Sequence, residues 1–220
     1  MIWAISSLRP EGINRLSNPF LVNCLPSYRK SKRKVLFVGQ ETNGWDSFTI
    51  TLDTFNYADE SLKRDAIINY LQWMYEDFRI QRKSNHTAFW RGMRRLYQSI
   101  SNDESDDAFL HTQLVRFDYN KKRPTLSVED LLQEEFNVLP MEISALAPDI
   151  VVFLTGPNYD ERIIKTFSNV YAKGKQLVFE VENGYQFNEL ARLSHPDLPY
   201  HTYRTYHPIY PLRNNPDLFK

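Results

Sequence analysis

The chain has 220 residues, of which 42% are hydrophobic, and its 27 Lys and Arg residues balance its 27 Asp and Glu residues. This length fits one domain or at most two small ones, and the balance of charge argues against a protein that binds nucleic acid by net charge alone. Cys24 is the single cysteine, which excludes disulfides within the chain, thiolate iron–sulfur clusters and cysteine zinc sites.

The segment 1–33 is mixed in composition and predicts one short helix. It starts MIWAISSLRPEGINRL, without the basic and long apolar segments of a secretory signal. No apolar run in the sequence approaches the ~18 residues of a membrane span. Together with the single cysteine, these features predict a cytoplasmic protein with no membrane partner.

The basic run RKSKRK, Arg29–Lys34, comes before the first predicted strand. We interpret it as a solvated loop, with contact to phosphates as the alternative. The continuous apolar stretch Val35–Val38 predicts a strand that is covered on both faces. This strand leads directly into GQETNGW, residues 39–45.

Helical spacing of apolar residues dominates from Asp59 to Ile100, and QRKSNHT, residues 81–87, separates two helices. On the second helix Arg91, Arg94 and Arg95 share one face. That face is a solvated surface or, alternatively, a surface that follows phosphates. The stretch FLHTQLVRF, residues 109–117, predicts the second strand.

In the C-terminal half, apolar strands alternate with helices. Ser127, with Asp130 three residues later, predicts a helix start, and Pro140 kinks or divides the helix, which runs to about Leu146. Strands are predicted at 149–156, 176–181 and 200–206, and helices at 159–171 and 185–193.

This alternation predicts an α/β fold, a three-layer α/β/α sandwich with a mostly parallel central sheet, formed by a single domain over residues 1–220. Ligands of such sheets bind beyond the carboxyl ends of the strands. The segments GQETNGW, TGPNYD and HPIYPLRNN each follow a predicted strand. We therefore expect them to share one rim of the sheet.

Three segments in this order, VGQETN, LAPDIVVFLTG and YHPIYPL, resemble the uracil-DNA glycosylase superfamily. Its members carry a first motif similar to Gly-Gln-Asp-Pro-Tyr and a second motif similar to His-Pro-Ser-Pro-Leu. The resemblance covers residues 35–213 and implies a uracil-DNA glycosylase-like domain. Such a domain would hydrolyse the N-glycosidic bond of a flipped, uracil-like base, with DNA or a free nucleobase as its partner. We expect neither a metal nor a cofactor.

The resemblance assigns the first motif to Gly39 and Gln40, which would bind the attacking water, and to Glu41. Glu41 stands where the superfamily has the Asp or Asn that positions or activates this water. A carboxylate within hydrogen-bond reach of water is a workable general base, although Glu is one methylene longer and Thr42 replaces a frequent proline. Asn43 provides a carboxamide nearby. Alternatively, Gly39 and Gln40 form only a tight turn, and Glu41 caps a helical turn.

The resemblance assigns the second motif to His207 and Pro208. His207 would donate a hydrogen bond to the departing base and stabilise its negative charge, or it has only a structural role. Leu212, or instead Tyr210, would fill the duplex after base flipping. The other histidines, His86, His111, His195 and His201, are interpreted as structural or surface residues.

Two further residues correspond more loosely to the superfamily. Gln113 would read the edge of the base, because an amide pairs with both an imide N–H and a carbonyl; the alternative is an ordinary residue of an edge strand. Phe55, or alternatively Phe48, would stack on the base.

Two other classes of function stay open. The first is a catalytically degenerate module on the same fold that binds nucleic acid or a nucleobase without turnover, because Glu41, Thr42 and Ile209 depart from the motifs. The second is an interaction protein or small-molecule-binding protein that only inherits the fold.

Overall fold

The computed structural model describes residues 15–81, 87–101, 105, 107–168 and 176–210. The helices of this part of the chain are α1 Pro26–Lys30, α2 Phe48–Thr54, α3 Glu60–Ile80, α4 Ala88–Ser101, α5 Leu126–Glu135, α6 Leu139–Leu146 and α7 Asp160–Ser168, with a short 3₁₀ helix at Pro157–Tyr159. The strands are β1 Val35–Glu41, β2 Leu110–Val115, β3 Ile150–Phe153, β4 Val178–Val181, β5 Leu190–Ser194 and β6 His201–Thr205.

The strands form one six-stranded mixed sheet in the order β2-β1-β3-β6-β5-β4. The pairs β1–β3 and β3–β6 are parallel, with Val35 opposite Ile150 and Ile150 opposite His201. The pairs β5–β6 and β4–β5 are antiparallel. The protein is therefore an α/β protein with a mostly parallel mixed sheet, as the sequence predicted.

The first strand forms where the sequence is continuously apolar. All four side chains of Val35–Val38 are fully buried, which is typical of a strand covered on both faces. At its start, the backbone N–H of Lys34 donates to the Asp149 carboxylate at 2.8 Å, and the N–H groups of Asp149 and Ile150 donate to the Lys34 carbonyl. These bonds set the register between β1 and β3.

The long helix α3 begins at an aspartate N-cap. The Asp59 carboxylate accepts hydrogen bonds from the backbone N–H groups of Ser61 and Leu62 at 2.8 and 2.9 Å. These bonds satisfy two of the free donors at the helix N-terminus, and such a cap contributes about 1 kcal/mol. The predicted pair of helices between Asp59 and Ile100 is confirmed as α3 and α4.

Two sequence predictions were wrong in detail. The predicted helix at 185–193 overlaps β5, in which Ala191 and Leu193 are buried while Leu190, Arg192 and Ser194 are not. This alternation is the two-residue period of a strand. The helix predicted to start with Ser127 as its N-cap instead has Thr125 at that position. The helix predicted to run to about Leu146 is divided, since α5 ends at Glu135 and α6 begins at Leu139 with Pro140 in its first turn.

The chain divides into two compact units whose segments alternate along the sequence. The described residues of unit 1 are 15–23, 41–81 and 115–137, and they include a core of Leu16, Phe48, Phe117 and Leu132. Unit 2 holds the other described residues and therefore nearly all of the sheet. The expectation of one domain over residues 1–220 stays a prediction.

Candidate functional site

The strand order of unit 2 has a reversal at β1. From β1 the chain reaches β2 on one side and β3 on the other, so the crevice between the carboxyl ends of β1 and β3 is the switch point at which open α/β sheets bind ligands. Gln40 lies at this point. Its Nε2 donates a hydrogen bond to the Thr155 carbonyl at 2.8 Å and thereby links the ends of β1 and β3.

Gly39 is in close contact with side chains of the neighbouring strand β2. A Cβ at position 39 would lie 3.1 Å from Gln113 Cδ and 3.2 Å from His111 Nε2, and it would collide with Gln113 Oε1. Only glycine permits this approach. Gly39 and Gln40 both lie within β1, so the alternative of a tight turn is wrong, and Gly39 is explained by its packing against two polar side chains.

The Gln113 amide brings a polar group into this packed region. Gln113 is half-buried on β2, which stands at one end of the strand order. Its Oε1 is shielded from solvent, and within the described ranges it has no hydrogen-bond donor. A buried acceptor without a donor costs about 1–3 kcal/mol. A ligand that offers an N–H group here would remove that cost.

His207 follows β6 and packs against the first turn of α4. Its imidazole lies parallel to the ring of Phe89, with centroids 4.7 Å apart and planes inclined by 15°. The same phenyl ring meets His111 edge-on at 5.3 Å, and Trp90 contacts His111 at the same distance. Phe89 therefore lies between the histidine of the second motif and a histidine adjacent to Gly39.

The protonation state of His207 follows from these contacts. Burial lowers the pKa of His207 from 6.5 to about 4, so the imidazole is neutral at pH 7. Its Nδ1 accepts a hydrogen bond from the Ile209 N–H at 3.3 Å. The single proton of the neutral ring is therefore on Nε2, which makes this atom a hydrogen-bond donor.

Pro208 completes the contact between the second motif and α4. A Cβ at Gly92 would lie 3.7 Å from Pro208 Cα and would collide with the proline ring. The two α4 residues Phe89 and Gly92 therefore hold His207 and Pro208 from one side. The next residues of the motif are exposed, and Tyr210 stacks on Tyr206 at 4.2 Å with planes 12° apart. Leu212 lies outside the described residues.

Glu41 belongs to unit 1, where it contacts an arginine. Both carboxylate oxygens lie 3.4 Å from Arg123 Nη2, and the Glu41 side chain is 22% exposed. The next helix begins at Phe48 with Ser47 as its N-cap, so Glu41 is not the N-cap of that helix. The guanidinium instead holds the carboxylate in place.

The loop after Glu41 is organised by a buried carboxylate of unit 1. Asp118 accepts hydrogen bonds from the N–H groups of Gly44, Trp45 and Lys121 at 2.7, 3.3 and 2.9 Å. Asn43, which precedes this turn, is exposed. Its carboxamide faces solvent in the structure.

The two candidate stacking rings differ in their exposure. Phe48 is 1% exposed and belongs to the core of unit 1, so it offers no face to a base. Phe55 is half-buried at the end of α2, and its ring lies 5.2 Å from Tyr70, which in turn stacks on the exposed Trp73 at 5.8 Å. Phe55 thus belongs to a partly exposed group of aromatic rings.

Sequence reasoning missed Phe89 as a contact of His207 and placed His111 among the structural or surface residues. The sequence could have indicated that His111 lies beside Gln113, because residues two apart on a strand share a face and His111 precedes Gln113 by two. For Phe89 no local signal exists. Its contact with His207 depends on how α4 packs on the sheet.

The structure also has a groove of about 640 Å³ in unit 2, between α6 and residues 196–199. Prolines and apolar side chains dominate its lining, among them Met141, Ile143 and Leu198. None of the predicted site residues contributes to it. The groove is therefore distinct from the strand-end rim.

Within the described ranges, no cluster of three or more His, Cys, Asp or Glu residues has an arrangement that could bind a metal ion. No helix in those ranges combines the length and apolar composition needed to cross a membrane. Comparison of the chain with protein-family models, with curated proteins and with solved structures found no match.

Proposed function

We propose that the protein is a divergent, uracil-DNA glycosylase-like enzyme that hydrolyses the N-glycosidic bond of a flipped, uracil-like base in DNA. The three-layer arrangement of that superfamily is part of this proposal. The observation that carries it is the Gln113 amide, whose buried oxygen lacks a donor among the described residues beside Gly39. Gln113 lies on β2, the strand next to β1, and open α/β sheets bind ligands beyond the carboxyl ends of their strands.

The amide suits the edge of a pyrimidine. Uracil presents an N–H between two carbonyl oxygens, and a carboxamide offers one acceptor and a donor group to pair with such an edge. A site built to hydrogen-bond a substrate rejects analogues that leave its buried polar groups unpaired. Gln113 would therefore select the base as well as bind it.

His207 would act on the departing base. Cleavage leaves an oxocarbenium-like sugar and a base anion, so a donor at the base oxygen contributes most in the transition state. The neutral His207, with its proton on Nε2, is such a donor. It needs no proton transfer to stabilise the developing charge.

Glu41 would orient the attacking water and stabilise positive charge on the sugar. A carboxylate can accept a hydrogen bond from water while it contacts a cation, because its two oxygens offer about four acceptor sites. Arg123, 3.4 Å from both oxygens, would fix the orientation of the carboxylate. Removing a single well-placed stabilising group typically costs 10²–10³ in kcat.

The test is base release from oligonucleotides that contain one deoxyuridine, with thymidine in the matched substrate and a panel of other damaged bases. His207→Ala and Glu41→Ala should each lower the rate at least ~100-fold. The matched controls are His201→Ala and Glu60→Ala, which remove an exposed histidine and an exposed glutamate outside the site. Wild-type protein without activity on every substrate would rule out the enzyme.

A second candidate is a binding module that retains the site without turnover. The contact of Glu41 with Arg123 favours it, because this carboxylate is already engaged by a cation. Such a module would bind uracil-containing single strands with an affinity that falls with salt, and His207→Ala would weaken binding. Unaltered mobility of every oligonucleotide at low salt would remove this candidate.

A further inference from the structure

Phe89 lies at the centre of a contact that the motifs do not predict. Its ring stacks on His207 with a centroid distance of 4.7 Å and an angle of 15°. Its edge contact with His111 has a distance of 5.3 Å and an angle of 70°. One face of the His207 imidazole is therefore covered by an apolar ring.

The helix that carries Phe89 is firmly packed. Trp90, Met93 and Tyr97 on α4 are buried, and Trp90 and Tyr97 contact Phe109 of the adjacent chain segment at 6.1 and 5.4 Å. Gly92, one turn after Phe89, leaves no room for a side chain against Pro208. Phe89 thus projects from a helix whose position is set independently of His207.

We propose that Phe89 is a positioning residue for His207, one that holds the imidazole in a single orientation with Nε2 as its free donor edge. The stacked ring restricts rotation about the side chain, and the Ile209 N–H occupies Nδ1 at 3.3 Å. The only ring nitrogen left for a ligand is Nε2. This inference rests on the proposed function for its catalytic meaning, but the geometry of the imidazole is testable without it.

The same ring excludes water from the imidazole. Burial is the cause of the lowered pKa of His207, whereas a phenyl face alone would attract an imidazolium cation. Desolvation therefore outweighs that attraction. Among the described residues, His111 lies across the phenyl ring from His207, and Tyr206 and Tyr210 stack on each other beside the motif; tyrosines carry no charge near pH 7.

The test is an NMR titration of the His207 ring in folded wild type, Phe89→Leu and Phe89→Tyr, with the tautomer read from the ring nitrogen shifts. Leu96→Ala is the matched control, because it truncates a half-buried side chain two turns along the same helix. Phe89→Leu should raise the pKa of His207 from about 4 toward 6.5 and mix the two tautomers. Phe89→Tyr, which keeps the ring, and Leu96→Ala should leave both unchanged.

A folded Phe89→Leu variant with the wild-type pKa and tautomer would overturn the inference. If Phe89→Leu does not fold, Phe89→Met, which keeps more of the buried volume, decides the question by the same measurement. In an active protein, Phe89→Leu should lower kcat and move the acid limb of the pH profile upward, and Phe89→Tyr should restore both. An inactive wild type with the predicted titration would refute the proposed enzyme and leave the positioning role of Phe89 intact.

Discussion

Gly39 on β1 and Gln113 on β2 are so close that the glycine has no room for a β-carbon. The would-be Cβ lies 3.1 Å from Gln113 Cδ and collides with Oε1 of the same amide. The two residues therefore act as one structural pair. Gly39 leaves free the space that the Gln113 amide occupies. Gln113 is the side chain proposed to bind the edge of the base.

Gly39→Ala is expected to destabilise the protein by about 1–3 kcal/mol, because overpacking forces the Gln113 amide or the backbone to move. Denaturation by urea measures the change. In the double variant, Gln113→Ala should recover part of the lost stability, because it removes the amide with which the new β-carbon at position 39 collides. Gly184→Asn measures backbone strain alone, because no atom lies within 4 Å of a Cβ at that position but its φ is +88°. A Gly39→Ala variant as stable as wild type would contradict the packing account.

Gln113→Leu is expected to separate stability from activity. It removes a buried acceptor that lacks a donor within the described residues, so the free energy of unfolding should stay within ~1 kcal/mol of wild type or rise. The rate of base release should fall at least ~100-fold, because the base edge loses its partner. Gln98→Leu, at an exposed position of α4, is the matched control. A variant with wild-type activity would exclude Gln113 from base recognition.

His207 should make stability depend on pH between about 4 and 6.5. In this window the unfolded chain binds a proton at His207 that the folded chain does not, so the free energy of unfolding rises with pH. The whole of this increase in stability is present above pH 6.5. The contribution is lost as the pH falls through the window, by a few kcal/mol at most. Urea midpoints at pH 4.5 and 7 for wild type and His207→Asn measure it. If the two proteins lose stability equally on acidification, His207 is not the group responsible.

Arg204→Met is expected to destabilise unit 2 strongly. The buried Arg204 guanidinium donates to the Asp160 carboxylate at 2.9 and 3.1 Å and to the carbonyls of Phe187 and Asn188 at 2.9 and 3.0 Å. Loss of one partner of such a buried pair costs about 3–5 kcal/mol, because the other charge stays uncompensated.

The matched control for Arg204→Met is Arg192→Met on β5, where the ion pair with Glu180 is long, at 4.0 Å, and partly exposed. Its cost should be no more than about 1 kcal/mol. Thermal unfolding of both variants measures the difference. Similar melting temperatures would mean that the hydrogen bonds of Arg204 contribute little.

Much of the architecture was predictable because its signals are local. The continuous apolar stretches Val35–Val38 and Ile150–Phe153 identified β1 and β3, since such runs are typical of strands covered on both faces, and all of these residues except Ile150 are buried. The strand β5 lies where a helix was predicted at 185–193, and its burial alternates with the two-residue period of a strand. Pairing with β6 decides in favour of a strand.

The sequence by itself determined that this is an α/β protein with polar motifs at the ends of two strands, near residues 40 and 207, because apolar runs and the residues that follow them are local properties. Only the tertiary structure decided that Phe89 covers His207, that Gly39 makes room for Gln113 and that Arg123 contacts Glu41. Each of these contacts joins residues far apart in the chain. Burial and close approach arise from packing between elements, and no local pattern encodes them.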